Sequence, residues 1–109
     1  MKSQIERLFA LYQALPRIES QAKTLIELAK LENVIQAYDL QGKPSDSQRR
    51  QMQRDLDSLS DALKQGLRAE IHKKPNTYYL PSSANLDKTD SGTAMLLLLA
   101  ESFLKKVAP

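Results

Sequence analysis

Apolar positions along this chain follow a helical spacing first, switch to strict alternation near residue 67, and return to helical spacing at the end. From Ser3 onward, Ile5, Leu8, Phe9, Tyr12 and Leu15 recur at three- and four-residue steps, as on one face of an amphipathic helix. Ser3-x-x-Glu6 has the form of a capping box ahead of that stripe, and Pro16 stops it. A second stripe carries Leu25, Leu28, Leu31, Ile35 and Tyr38. It opens either near Ser20 or at the Thr24-x-x-Glu27 box, and a break near Asn33 would divide it into two shorter helices. Gly42 is placed to cap its end, with Pro44 just beyond. A third helix is expected to start at Ser45 or Ser47 and run to about Lys64. It would bury Met52, Leu56, Leu59 and Leu63, with Gly66 as its terminator.

The period then becomes two. Leu67, Ala69 and Ile71 alternate with Arg68, Glu70 and His72, which predicts a strand. Lys73-Lys74-Pro75-Asn76 predicts the turn, and residues 77–80 the returning strand. Residues 82–91 are polar and read as a linker. Residues 93–107 predict a last helix, apolar nearly all round through Ala94, Met95, Leu96, Leu97, Leu98, Leu99, Ala100, Phe103, Leu104 and Val107. Such a helix has to be covered, and the preceding core is small for that task. The expected fold is mainly α with a small β-hairpin. It would be a winged helix-turn-helix over residues 1–81, followed by a linker and apolar helix over 82–109.

Composition narrows the chemistry. One hundred and nine residues suit one domain, and with no cysteine and one histidine the chain is unsuited to disulfides, thiol chemistry or Cys/His zinc sites. No apolar leader opens the chain, and its longest apolar run, residues 94–100, is far below the roughly 18 residues of a membrane span. A cytoplasmic protein without membrane attachment is expected. No Ser/His/Asp set, glycine-rich phosphate loop or paired-carboxylate spacing is visible, so no catalytic residue, cofactor or metal is assigned and the chain reads as a non-enzyme.

Charge points elsewhere. The net +3 lies wholly in residues 43–74, where eight bases face five acids, while 1–42 and 75–109 each balance. On the third helix Arg50 and Arg54 project away from the core, flanked by Gln51 and Gln53, with Asp57 and Asp61 following on the same outward stripe. A basic, amide-rich first half suits entry into the major groove, where Arg pairs with guanine and Gln with adenine. Arg49, Arg50, Gln51, Gln53 and Arg54 are therefore expected near bases or adjacent phosphates. Lys43, Ser45, Ser47, Lys73 and Lys74 are expected on the DNA backbone. Against this stands a solvated helix face with an Arg54–Asp57 pair worth about 0.2–0.5 kcal/mol. That plainer reading loses ground because a hairpin carrying two lysines follows the helix. His72 reads as a solvated or phosphate-near side chain. Of Tyr78 and Tyr79, one is expected to pack under the hairpin and the other to stay half exposed.

The stretch Arg49-Arg50-Gln51-Met52-Gln53-Arg54-Asp55-Leu56-Asp57-Ser58-Leu59 resembles the R-T-x-x-R-D-L-x-x-L recognition helix of WYL-domain transcription regulators, whose N-terminal region is a DeoR-type winged helix. Support comes from the leucine–proline end of helix one (Leu11 to Pro16), the Lys74-Pro75-x-x-Tyr78-Tyr79-Leu80 wing, and the closing leucine-rich helix around Ala94 to Leu104. The resemblance implies a sequence-specific transcriptional regulator of repressor type, binding double-stranded DNA as a homodimer. In it Arg50 matches the motif's first arginine and Arg54-Asp55-Leu56 its R-D-L. Gln51 replaces the motif's threonine, leaving a phosphate-contacting hydroxyl missing or supplied by Ser45 or Ser47. Asp55 takes a structural role beside the core. The ligand-sensing WYL domain would begin after Pro109 and is absent, so a truncated form or a free-standing DNA-binding part is implied, with the last helix as connection or dimer contact. The other expectation is a helical protein–protein interaction module acting through helix 93–107.

Overall fold

Side-chain caps at Ser3, Thr24 and Ser45 start three of the helices. The computed structural model describes residues 1–83, 86 and 92–107. In order these form α1 (Gln4–Ala14), a 3-10 turn (Glu19–Gln21), α2 (Leu25–Leu28), α3 (Glu32–Tyr38), α4 (Asp46–Leu67), β1 (His72–Lys74), β2 (Thr77–Tyr79) and α5 (Gly92–Val107). The fold is mainly helical with one two-stranded antiparallel sheet.

Ser3 caps α1 by accepting from the Glu6 N–H. The second stripe divides, as the break near Asn33 allows. The Thr24–Glu27 capping box opens α2 rather than Ser20, and α3 restarts at Glu32. The restart shifts the buried face of α3 to Val34, Ala37 and Tyr38, so Ile35 is 37% exposed instead of in the core. Asp39, at φ 53°, ends α3 in the left-handed conformation that a short polar side chain tolerates. Gly42, at φ 87°, lies in the following loop and is not the cap.

Ser45, not Ser47, caps α4 through a reciprocal box with Gln48. This helix runs past Lys64 and through Gly66, ending at Leu67 with Arg68 at φ 54°. Gly66 is not a terminator. A Cβ at this position would collide with the Leu98 side chain, so the glycine admits α5 against α4. Leu67, Ala69 and Ile71 are buried and Arg68, Glu70 and His72 exposed, as alternation requires, but sheet pairing begins only at His72. The Ile71 N–H instead donates to Ser60 Oγ at 3.1 Å. Lys73 and Lys74 are strand residues, and the turn itself is Pro75–Asn76 with Asn76 at φ 68°. Pro followed by a left-handed Asn suits a tight reversal.

One long-range pairing lies outside any local periodicity. Lys23 and Tyr78 exchange backbone hydrogen bonds at 3.1 and 2.8 Å, and the Leu80 N–H donates to Pro16 O at 2.8 Å. The outer edge of β2 is thus tied to the segment ahead of α2. Both tyrosines are buried, Tyr78 at 7% and Tyr79 at 9% exposure.

Helix α1 packs against α3, α4 and α5. Met95 and Leu99 of α5 join the same buried cluster as Leu11, which explains why Leu11 is inaccessible off the predicted stripe. The last helix is therefore covered in part by its own chain, leaving Leu96 and Leu97 outward. Most of the polar linker, Pro109 and the side chains of Phe103, Leu104 and Val107 lie outside the described residues. Among the described residues no helix is long and apolar enough to cross a membrane.

A buried charge sits at the centre. Asp55 of α4 is 1% exposed. Its Oδ2 accepts from Arg7 Nε of α1 at 2.8 Å and from the Tyr38 hydroxyl of α3 at 2.5 Å, while Oδ1 accepts from Gln51 Nε2 at 2.9 Å. Arg7 also donates to Lys2 O at 2.7 Å. A desolvated carboxylate is tolerated only when its lone pairs are satisfied this fully. Burial, reinforced by the Asp55 carboxylate, pushes the Tyr38 phenol well above its ordinary range, and the hydrogen bond to Asp55 raises Arg7.

Removing the acceptor strands all three donors, Arg7, Tyr38 and Gln51. Asp55→Ala is expected to lower unfolding free energy by about 3–5 kcal/mol in urea titration; a loss within measurement error would contradict this role. Because the folded-state pKa of Tyr38 lies above its unfolded value, its contribution is complete below about pH 10 and is lost as pH rises towards the folded value. Alkaline unfolding curves should therefore fall less steeply with pH for Tyr38→Phe than for the parent chain, even though the variant starts from lower stability.

Candidate nucleic-acid interface

The capping box at Ser45 fixes the first turn of α4 and thereby the direction of every side chain on its outer face. Four residues at helical spacing, Asp46, Arg49, Arg50 and Gln53, line one wall of an open groove of about 570 Å³. Thr24, Leu25 and Ile26 at the start of α2 form a second wall, and Asn76 and Tyr78 of the hairpin a third. The Lys23–Tyr78 bridge holds the second and third walls together. At the groove's edge the Glu27 carboxyl is held below its ordinary range, mainly by the Thr24 backbone N–H.

Three of the ten residues expected from sequence, Arg49, Arg50 and Gln53, converge on this groove, and their states differ. Arg50 and Gln53 are exposed and have no hydrogen-bond or ion-pair partner among the described residues. Arg49 is held by Asp46, Nη2 to Oδ1 at 2.5 Å. Gln51 does not stand in the groove. Its amide nitrogen is committed to Asp55 and its oxygen accepts from Arg54 Nη2 at 3.0 Å. Both ends of that side chain are occupied because it lies one turn before the buried acid. Arg54 is exposed on the adjoining face.

The remaining five positions do not line the groove. Lys43 is exposed in the loop before α4, and Ser47 is exposed in its first turn. Ser45 spends its hydroxyl on the Gln48 N–H at 3.2 Å. The two hairpin lysines are not extended into solvent at a tip. Lys73 Nζ reaches Asp57 of α4 at 3.2 Å, and Lys74 is ion-paired with Glu19. All four of these side chains are more than half exposed or close to it, so each pair is a weak surface contact that an external anion can displace. His72, also exposed, shares a 3.2 Å contact from its Nδ1 to the Tyr79 hydroxyl.

Periodicity does not single out Thr24, Asp46, Asn76 or Tyr78 as groove residues. Asp46 and Arg49 could be paired from their three-residue spacing, and Asn76 carries a turn signal. Nothing local announces that α2 and the hairpin meet. What the arrangement offers chemically is an unpaired guanidinium and an unpaired amide side by side on the first half of a long helix. Cations in weak ion pairs stand on either side, and the concave wall is mixed polar and apolar. Comparison with protein-family models, with curated proteins and with solved structures found no match.

Proposed function

We propose that the chain is a sequence-specific binder of double-stranded DNA acting in transcriptional regulation. In this reading α3 and α4 serve as a helix-turn-helix and the hairpin as a wing. The observation that carries it is the groove framed by the first half of α4, the start of α2 and the hairpin, with Arg50 and Gln53 exposed and unpaired inside it. An exposed N-terminal half of a helix is the part that reaches base edges in the major groove. Lys43, Lys73 and Lys74 border that face and suit phosphate oxygens, with the internal acids giving way on contact. A homodimer would place two such helices on half-sites about 34 Å apart. The likeness to WYL-domain regulators and a repressor role belong to the same proposal.

Fluorescence anisotropy of a labelled duplex at 50 and 200 mM salt tests it. For about five phosphate contacts, affinity should fall by several hundred-fold between the two, a slope of about 0.9 per contact. Binding that is absent, or insensitive to salt, would remove the reading.

The exposure of Leu97, 62%, and Leu96, 38%, favours a second role, a protein contact through α5. Deleting the helix would open the core at Met95 and Leu99, so a surface change is the better probe. Leu97→Glu should leave unfolding free energy within about 0.5 kcal/mol of the parent, and should abolish self-association in sedimentation if α5 forms that contact.

A further inference from the structure

We infer that Arg50 and Gln53 alone read bases, and that the element they read is a guanine and an adenine on neighbouring base pairs. This rests on the DNA-binding reading above and sharpens it. Six arginine and glutamine side chains on the first half of α4 have the chemistry for base contact, and their intramolecular bonds separate them: Gln48 is engaged in the capping box, its Oε1 accepting from the Ser45 N–H at 2.8 Å. Arg49 commits one Nη edge of its guanidinium to Asp46, a pair that yields to a phosphate anion but leaves no free fork for a neutral base edge. Gln51 is held at both ends, by Asp55 and by Arg54. Arg54 in turn spends a donor on Gln51, whose position is locked by a buried carboxylate. Arg50 and Gln53 are exposed, line the same groove, and have no such partner among the described residues.

Their spacing is informative. Three residues along a helix rise about 4.5 Å, more than one but less than two of the roughly 3.4 Å steps between stacked base pairs. Two readers so placed address adjacent steps and not a longer run. A guanidinium presents two parallel donors to guanine O6 and N7, and a glutamine amide presents one donor and one acceptor to adenine N7 and N6. Carboxylates bracket the pair. Asp46 stands four residues before Arg50 and Asp57 four residues after Gln53, both largely exposed.

The experiment is selection from a randomised duplex library with the full chain, followed by competition titration of the enriched sequence. The parent should enrich a guanine and an adenine on adjacent pairs. Arg50→Lys keeps the charge but loses the fork. It should hold its affinity for random duplex while discrimination at the guanine falls about 5- to 150-fold. Gln53→Ala should lose preference at the adenine only. Arg54→Ala should weaken all duplexes alike and leave the selected sequence unchanged. A changed sequence preference in Arg49→Ala or Arg54→Ala, or an unchanged one in Arg50→Lys, overturns the assignment while DNA binding stands. Duplex binding by the parent without sequence preference does the same. Failure of the parent to bind any duplex overturns the assignment together with the reading beneath it.

Discussion

A single carboxylate withdrawn from water governs how the helices meet. Asp55 draws one donor from α1, one from α3 and one from the preceding turn of its own helix. Leucine packing alone tolerates small rotations of α4, because apolar contacts are non-directional. Short, directed bonds to an inaccessible acid do not, since any rotation leaves a charged group unsatisfied. The buried acid therefore sets the rotation of α4, and with it the face presented outward. Its influence reaches the surface through Gln51, whose far end holds Arg54. An interior constraint thus decides which polar groups outside are available.

How much of this could be read from the chain follows from the range of each interaction. The start at Ser3 is legible, and those at Thr24 and Ser45 are narrowed to two candidates each, because a cap acts within four residues. Helix ends are less so. Gly66 has the composition of a stop but serves as a clearance for Leu98, and Asp39 takes the left-handed position that Gly42 would be expected to fill. Ile35 sits outside and Val34 inside because the break before Glu32 resets the phase of α3. Tyr78 and Tyr79 are both buried although they alternate, and residues 16–23 pair with the edge of β2, a contact that alternation within a strand cannot reveal.

The same distinction applies to the candidate interface. Arg50 and Gln53 are legible from a helical wheel, since exposure on an amphipathic helix is a local property. The commitments of their neighbours are not. Gln51 looks like a reader until Asp55 is found buried beside it, and the lysines of β1 look extended until Asp57 and Glu19 are found across from them. A modest net charge of +3 is thereby distributed unevenly in availability as well as in sequence. Exposed ion pairs contribute roughly 0–1 kcal/mol each, so they hold cations in place without removing them from use.

The clearance at Gly66 has a mechanical side. With no side chain between the α4 backbone and Leu98, the two helices touch with little slack. Helix α4 is one unbroken rod of 22 residues, about 33 Å long at 1.5 Å per residue, seated near one end by this contact and carrying Arg50 near the other. A methyl group at position 66 would press on Leu98, so the seating of the last helix hinges on the absence of a single carbon.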